Sequence, residues 1–295
     1  MHGRPRRSGF WIHTLLLGPR DPYRYATKTM TLSASRCLFC LSADGPFTRD
    51  EHPIPESLGN DDTIMPPGIV CDSCNQYFGT KLEQPVLNAA PFGVERVVQA
   101  IRNKKGKIPR VTNRDIELRS TGYWDRIALA SNPPHRGLFR LPDGRTVLNP
   151  KWAHPNLLAR FLLKMGLELF AMAESATPYE SRFNPARECA RFGTAADNWD
   201  FAIGLYPDPD DLLTTARVVE YGPLETRQIY QYGLGVMASG DVQFSFVYAT
   251  SVFAVNLSRP SALEYIMGFN DRNSFTLDSR WNAFPKRVGG PQIVA

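Results

Sequence analysis

The chain has 295 residues, 43% of them hydrophobic, which is enough to bury a sizeable core and indicates a soluble globular protein. The longest apolar stretch, residues 157–173, is broken by three charged residues, which excludes a membrane span of roughly 20 apolar residues. Residues 1–150 carry 21 Lys and Arg against 14 Asp and Glu, so the net charge of +5 comes from the first half. This surplus favours a polyanionic partner, although a basic solvated surface is the commoner cause of a pI near 9.0.

Residues 1–30 are basic and contain a short apolar run, Phe10–Leu17, interrupted by His13. A secretory signal peptide is conceivable, but the run is short and no small-residue cleavage site follows it. We therefore predict a flexible tail, or an over-extended start with Met30 as the true initiator.

Residues 31–100 contain two Cys-x-x-Cys pairs, Cys37 with Cys40 and Cys71 with Cys74. Zinc takes four thiolates in a tetrahedron, and each pair supplies two of them from one tight turn. The pairs therefore predict a structural zinc ion that stabilises a small domain. The fifth cysteine, Cys189, is expected to be buried. Four clustered thiols with an odd fifth suit a reducing compartment, so we place the protein in the cytoplasm.

The sequence between and after these pairs predicts the order strand, strand, helix. His52 and Ile54 each precede a proline, which favours extended backbone, so residues 51–55 are predicted as a strand or strand edge. Residues 63–70 supply a returning strand. A helix follows Cys74 because apolar residues recur at helical spacing, and Pro85 limits its straight length. These apolar residues are Tyr77, Phe78, Leu82 and Val86.

Thirty residues separate Cys40 from Cys71, against about 15–20 in a plain zinc ribbon. The inserted segment contains Glu51 and His52, and Asn75 follows the last cysteine. A neutral imidazole can deprotonate water, while carboxylate and amide oxygens suit Mg²⁺ or Mn²⁺. We therefore expect His52 to act as general base and Glu51 and Asn75 to hold a divalent cation for phosphodiester hydrolysis. An incidental histidine on a surface turn is the alternative.

Residues 36–85 resemble the HNH endonucleases, in particular the branch in which a four-cysteine zinc site surrounds the ββα-metal motif. The matching stretches are CLFC at 37–40, EHPIPESLG at 51–59, VCDSCN at 70–75 and FG at 78–79, ending near Glu83. The resemblance implies that Glu51 and Asn75 are the cation ligands and that His52 is the general base.

Two positions depart from the family pattern. Pro53 stands where an aliphatic residue is more common, which removes one backbone donor and favours an edge or bulge. Pro66 stands where the middle asparagine of the motif is expected, five residues before Cys71, and Asn60 on the loop is a candidate substitute.

Residues 101–126 carry eight basic residues against three acidic ones and form either a stripe that binds the nucleic-acid backbone or a solvated basic linker.

Residues 127–295 are predicted to form an α+β domain of unknown role. A helix that opens at Pro155 is too apolar for the surface, so we expect a core helix packed on an antiparallel sheet. Its predicted strands are Asp200–Tyr206, Arg217–Tyr221, Gln228–Val236 and Val242–Leu257.

The expected fold is therefore α+β, with an N-terminal zinc-stabilised ββα-metal unit followed by the helix and sheet. The expected function is a metal-dependent endonuclease that cuts nucleic acid, with DNA as the favoured substrate and no membrane partner. Two alternatives stay open: a zinc module that binds nucleic acid without cutting it, and a protein-interaction factor. Residues 127–295 could recognise substrate, form a homodimer or bind a regulator.

Overall fold

The computed structural model describes residues 14–17, 36–60, 63–103, 105–112, 116–121, 127–131, 138–140, 142, 144, 146–148, 150–174, 176–205, 230–236, 239–249, 251–260 and 282–283. They form helices and antiparallel sheets, which confirms the predicted α+β class. None of the helices in these ranges is both long enough and apolar enough to cross a membrane.

Residues 36–103, called here the N-terminal unit, contain one antiparallel bridge followed by helices. Glu51 pairs with Met65, whose N–H donates to the Glu51 carbonyl at 2.8 Å. The two predicted strands shorten to this single bridge because Pro53, Pro55 and Pro66 have no N–H to donate to a ladder. A 3-10 turn, Glu56–Leu58, lies between the paired residues.

The predicted helix after the second cysteine pair is present and continues past Pro85. It consists of α1 (Asp72–Tyr77), a π-helical segment (Phe78–Glu83) and α2 (Gln84–Leu87), and α3 (Phe92–Val98) follows. Pro85 lies in the first turn of α2, where the missing N–H and fixed φ are tolerated. The wider π-helical turn brings Phe78 and Leu82 into the core.

Two small antiparallel sheets follow the N-terminal unit. One contains β2 (Arg110–Thr112), β3 (Ile116–Ser120) and β4 (Ile127–Ser131), and the other pairs β5 (Leu138–Arg140) with β6 (Thr146–Leu148). Val97 of α3 packs with Val111 and Leu118 in a small separate core.

A long helix, α4 (Pro155–Ala173), begins at His154, whose ring nitrogen Nδ1 accepts a hydrogen bond from the Asn156 N–H at 3.3 Å. Almost every residue from Leu158 to Ala171 is buried, so α4 is the predicted core helix. A shorter helix, α5 (Asn184–Phe192), packs beside it.

The main sheet lies against α4 in the strand order β1-β8-β9-β10-β7-β11, and every neighbouring pair is antiparallel. Its strands are β1 (Thr14–Leu17), β7 (Phe201–Leu205), β8 (Tyr230–Val236), β9 (Val242–Tyr248), β10 (Ser251–Asn256) and β11 (Asn282–Ala283).

The sheet differs from the sequence predictions in two places. The run predicted as one strand, Val242–Leu257, forms the two strands β9 and β10, because the chain turns at Ala249, whose φ is +49°. The edge strand β1 lies within residues 1–30, where we expected a tail. The predicted strand Arg217–Tyr221 falls outside the described residues.

One hydrophobic core joins the N-terminal unit to α4 and the main sheet. Phe92 of α3 packs edge-on against Phe161 of α4 and face-on against Phe253 of β10, with ring centroids 5.4 Å and 5.0 Å apart. The cysteine pairs and the aromatic residues of β9 belong to the same buried cluster. The N-terminal unit is thus held against the rest of the described chain by apolar packing.

Candidate metal centre and active site

The four paired cysteines converge, with all four Sγ atoms within 4.8 Å of one another. Thiolates about 2.3 Å from a tetrahedral zinc ion lie about 3.8 Å apart, and Cys40 Sγ lies 3.8 Å from Cys71 Sγ. All four are free of disulfides. Cys37, Cys40, Cys71 and Cys74 therefore fit the zinc ion predicted from their spacing.

Local hydrogen bonds shape each cysteine pair as a tight turn. In the first pair, the Leu41 N–H donates to the Cys37 carbonyl at 3.0 Å, and Leu41 takes a left-handed φ of +58°. The second pair starts α1, with Cys71 as its N-cap. The Leu38 N–H donates to the Ile69 carbonyl at 2.7 Å, which ties the two turns together.

The hydrogen bond between Cys74 and Cys37 shifts the pKa values of these two thiols in opposite directions. A hydrogen bond from Cys74, together with backbone donors, lowers the pKa of Cys37 to about 5, although burial acts in the opposite direction. The same bond raises the pKa of Cys74, because it holds the shared proton. A bound cation would release this proton, since zinc binds thiolates.

Arg191 of α5 links the cysteine cluster to the helices that follow. Its Nε–H donates to Cys74 Sγ at 3.2 Å, and its guanidinium lies 3.8 Å from the centre of the Tyr77 ring. Arg160 of α4 donates to the Tyr77 hydroxyl at 2.7 Å. Two arginines from outside the N-terminal unit thus contact α1, the helix that contains Cys74, at its last residue.

His52 lies one residue after the bridge and is held by a carboxylate. Its Nε2 is 2.9 Å from Glu56 Oε1, and the side chain is 15% exposed. The other ring nitrogen, Nδ1, is buried and has no hydrogen-bond partner among the residues that the structure describes. A buried polar atom without a hydrogen bond costs about 1–3 kcal/mol of stability. A catalytic role for Nδ1 would explain why it is unpaired.

Asn75 lies on α1 directly after the last cysteine and faces the segment that contains His52. Its Nδ2 donates to the Asp50 carbonyl at 3.0 Å. Asp72, on the same helix, accepts hydrogen bonds from the backbone N–H groups of Thr48 and Arg49 at 2.8 and 3.1 Å. A further hydrogen bond, from the Thr48 hydroxyl, is the main reason that the pKa of Asp72 lies below its usual value. The helix α1, which contains Cys74, therefore holds the backbone of residues 48–50.

Glu51 points away from solvent towards Lys164 of α4. Its Oε1 accepts a hydrogen bond from Lys164 Nζ at 2.6 Å, and Glu51 is only 7% exposed. Nζ lies 2.9 Å from Glu83 Oε1 and 2.9 Å from Glu168 Oε2, and it also donates to the His52 carbonyl at 3.1 Å. Lys164 and Glu168 are both completely buried. We call these four side chains, Glu51, Glu83, Lys164 and Glu168, the charge cluster.

The electrostatics of the charge cluster reflect three carboxylates around one ammonium. Burial is the main cause that raises the pKa of Glu51 and of Glu168, and it outweighs the attraction of Lys164. Burial alone would lower the pKa of Lys164, but the three nearby carboxylates raise it well above its usual value. Lys164 therefore stays charged in the folded protein, while Glu168 resists ionisation.

Asn60 is completely buried and closes the loop between the bridged residues. Its Nδ2 donates to the carbonyls of Ile54 and Thr63 at 2.6 and 2.9 Å, and its Oδ1 accepts from the Thr63 N–H at 2.9 Å. The Tyr230 hydroxyl of β8 donates to the same oxygen at 3.1 Å. Asn60, the candidate substitute for the middle asparagine, thus fixes the loop that follows His52.

The structure brings the four predicted zinc ligands together, and Asn75 contacts the backbone of Asp50, the residue before Glu51 and His52. The three side chains have different partners: Glu51 contacts Lys164, His52 contacts Glu56, and Asn75 contacts Asp50. No hydrogen bond joins any two of these three side chains in the described part of the chain.

Sequence reasoning missed the residues that support this site from a distance. Glu56 follows His52 by four residues, a spacing that could have been noticed. Lys164 and Glu168 were expected in a core helix, and buried charges in a core helix require partners. That rule predicts an ion pair but does not identify Glu51 as its distant member.

The comparisons with known proteins agree with the N-terminal geometry. Residues 37–90 match a family model described as HNH endonuclease. No curated protein and no solved structure matches the chain. The match contains all four clustered cysteines, Glu51, His52 and Asn75, and it ends before α4. The predicted resemblance is therefore confirmed: residues 37–90 are an HNH-like domain with a four-cysteine cluster, which suggests nuclease activity.

Proposed function

We propose that the protein is a metal-dependent endonuclease that hydrolyses phosphodiester bonds in nucleic acid. His52 is the general base, and Glu51 and Asn75 hold a Mg²⁺ or Mn²⁺ ion. The observation that carries the proposal is the position of His52, which is held by Glu56 and lies in the segment that matches HNH endonucleases and contains the four clustered cysteines.

The surroundings of His52 support its role as a base. A carboxylate that binds one ring nitrogen fixes the orientation and the tautomer of an imidazole. With its Nε2–H directed at Glu56, the ring keeps Nδ1 as its proton acceptor, and because Nδ1 is buried, the proposed reaction requires a water molecule to enter beside it. The lack of a partner for Nδ1 among the described residues is consistent with this assignment.

Two oxygen atoms support a cation site beside His52. The amide of Asn75 uses its nitrogen to bind the Asp50 carbonyl, which leaves its Oδ1 for another ligand. Lys164 contacts Oε1 of Glu51, and the second oxygen, Oε2, forms no hydrogen bond or ion pair with the residues described. Hard oxygen ligands of this kind suit Mg²⁺ or Mn²⁺, and such a cation would stabilise the charge on the phosphate and the leaving oxygen.

A second function, binding of nucleic acid without cleavage, is favoured by one observation. Glu51 is 7% exposed and bound to a buried lysine, which restricts its access to a cation. In that case the protein would still bind nucleic acid, with the basic residues of 101–126 as the candidate contacts, and binding would weaken as the salt concentration rises.

A cleavage assay separates these two functions. Zinc-loaded protein is incubated with supercoiled plasmid and Mg²⁺ or Mn²⁺, and we expect nicked or linear products. His52→Ala should lower the rate by at least about 100-fold, because general-base catalysis contributes 10²–10⁴-fold. His154→Ala, which removes an exposed histidine at the start of α4, is the matched control and should cut normally. A plasmid left intact by wild-type protein, or cut equally well by His52→Ala, refutes the catalytic assignment.

The same assay addresses the finer parts of the proposal. We propose DNA as the substrate, so single-stranded and duplex RNA should be cut more slowly. A homodimer would place two sites on one duplex and yield linear plasmid without accumulation of nicked circles. Thiolate ligation of zinc supports the cytoplasm as the location, because a reducing compartment keeps the cysteines free.

A further inference from the structure

We infer that Lys164, on α4 and outside the segment that matches HNH endonucleases, is a positioning residue of the proposed nuclease site. It holds the Glu51 carboxylate and the His52 backbone, so α4 forms part of that site. The inference rests on the proposed function, since it assigns Lys164 a role in the same reaction.

The contacts of Lys164 reach two adjacent residues of the proposed site. Its Nζ donates to Glu51 Oε1 at 2.6 Å and to the His52 carbonyl at 3.1 Å. A lysine ammonium has three hydrogens to donate, so one side chain can hold a side chain and a backbone group together. The segment that presents both the proposed base and a proposed cation ligand is therefore tied to α4 at one point.

The ammonium is itself fixed from the opposite side. Glu168 lies four residues later on α4, and Glu83 comes from the π-helical segment, each 2.9 Å from Nζ. Since Lys164 is fully buried, it has no access to solvent or to a phosphodiester. It cannot act as a catalytic residue, and its effect on the reaction must pass through Glu51 and His52.

A positioning role follows from the division of the two Glu51 oxygens. Carboxylates that bind metal ions are usually held by a further hydrogen bond, which fixes the second oxygen towards the metal. Lys164 occupies Oε1, so Oε2 is the oxygen directed to the cation in the proposed function. Without Lys164, the Glu51 carboxylate would lose its nearest positive charge, and the segment that contains Glu51 and His52 would lose its link to α4.

The alternative is that Lys164 only stabilises the fold through its ion pairs. If Lys164 positions the site, its loss changes the hydrogen exchange of residues 49–66 and the cation affinity of molecules that are still folded. If Lys164 only stabilises the fold, the molecules that are still folded keep both properties. Arg187 of α5 supplies a matched control, because it is also a buried cation but hydrogen-bonds to the carbonyls of Pro178 and Glu180. It makes no hydrogen bond to the proposed site within the described residues.

The experiment compares zinc-loaded wild type, Lys164→Met and Arg187→Met by hydrogen–deuterium exchange, by calorimetric titration with Mn²⁺ and by plasmid cleavage. A Lys164→Met/Glu168→Gln variant leaves fewer unpaired carboxylates and provides a folded sample if the single variant unfolds. We expect Lys164→Met to accelerate exchange in residues 49–66 and to weaken Mn²⁺ binding 10- to 100-fold. Saturating Mn²⁺ should restore part of the cleavage rate. Arg187→Met should change neither exchange in residues 49–66 nor Mn²⁺ affinity.

The outcomes distinguish failure of this inference from failure of the proposed function. If wild type binds Mn²⁺ and cuts while folded Lys164→Met matches it in exchange, affinity and rate, the inference is wrong and the proposed function stands. If Lys164→Met and Arg187→Met lose affinity equally, Lys164 is only a stabilising residue and the inference is also wrong. If wild type neither binds Mn²⁺ nor cuts nucleic acid, the proposed function fails and the inference fails with it.

Discussion

Two buried clusters of ionisable groups lie in the described chain, and they differ in the source of their positive charge. The cysteine cluster brings four thiols together with one guanidinium, that of Arg191, so four thiolates would need a metal ion from solution to balance their charge. The charge cluster places three carboxylates around one ammonium from the chain itself. The stability of the first therefore depends on metal supply, and that of the second on one side chain.

The clusters also connect different parts of the molecule. The cysteines join two turns of one segment, 37–40 and 71–74, and fix the local shape of the N-terminal unit. The charge cluster joins this unit to α4 through Glu51 and Lys164, which are 113 positions apart in the sequence. The cysteine cluster thus stabilises the N-terminal unit itself, and the charge cluster stabilises its contact with α4. Mutations can distinguish these two contributions.

Removal of zinc should have the largest effect. Structural zinc sites in small domains contribute an apparent 10–16 kcal/mol at neutral pH, so chelation or Cys71→Ser should unfold the N-terminal unit. Circular dichroism with and without EDTA, with zinc content measured by mass spectrometry, checks this expectation. Cys189→Ala removes a buried cysteine outside the cluster and should retain one zinc per chain. Retention of a cooperative unfolding transition after complete zinc loss would contradict the prediction.

Lys164→Met should have the second largest effect. It removes the ammonium that contacts the buried Glu51 and Glu168 and the half-buried Glu83, and breaking a buried ion pair by removing one partner costs about 3–5 kcal/mol. We expect that decrease in the free energy of unfolding at pH 7, measured by urea titration of the zinc-loaded protein. A decrease below about 1 kcal/mol would mean that the ammonium contributes no more than an exposed ion pair.

Asn60→Ala tests the loop between the bridged residues Glu51 and Met65. The variant leaves the buried carbonyl of Ile54 and the groups of Thr63 without their side-chain partner, at a cost of about 1–3 kcal/mol. Tyr230→Phe removes only the hydroxyl that binds Asn60 and should cost about 1 kcal/mol. The two changes in the midpoint of urea unfolding should keep this order. The reverse order would show that the loop depends on β8 more than on its own asparagine.

Glu168→Gln should have the smallest effect and should depend on pH. Burial raises the pKa of Glu168 well above its usual value of 4.5, so the folded state keeps a proton that the unfolded state loses as pH rises. The wild type therefore loses stability relative to Glu168→Gln as the pH increases above about 4.5. Urea titrations at pH 5, 6.5 and 8 should show this widening difference. Glu188→Gln, at an exposed position on α5, should show none.

The sequence predicts the cysteine cluster well because its geometry is local. Each Cys-x-x-Cys pair closes within one turn, and zinc needs only that the two turns meet. The core helix was also predictable, because its apolar residues cover every face. The charge cluster was not, since no spacing rule relates Glu51 to Lys164 and only the packing of α4 brings them together.

Smaller errors in the predicted fold have equally physical causes. The strand pair around His52 shortens to one bridge because prolines on both sides cannot donate to a ladder. The turn between β9 and β10 was missed because it contains neither glycine nor proline, and Ala249 takes the left-handed conformation instead. Asn60 was identified as a candidate from its place on the loop, although its partners on β8 could not be.

Gly166 determines how closely α4 approaches the sheet. A methyl group there would lie 2.8 Å from Leu257 Cδ2 and 2.9 Å from Phe244 Cβ, so the helix lies as near as its backbone permits. Lys164 lies two residues from Gly166 and therefore on the opposite face of the helix. From there its side chain, whose length is fixed, extends towards Glu51 and His52. A larger side chain at Gly166 would therefore change how far Lys164 reaches, and the sheet side of α4 would influence the proposed reaction without contacting its substrate.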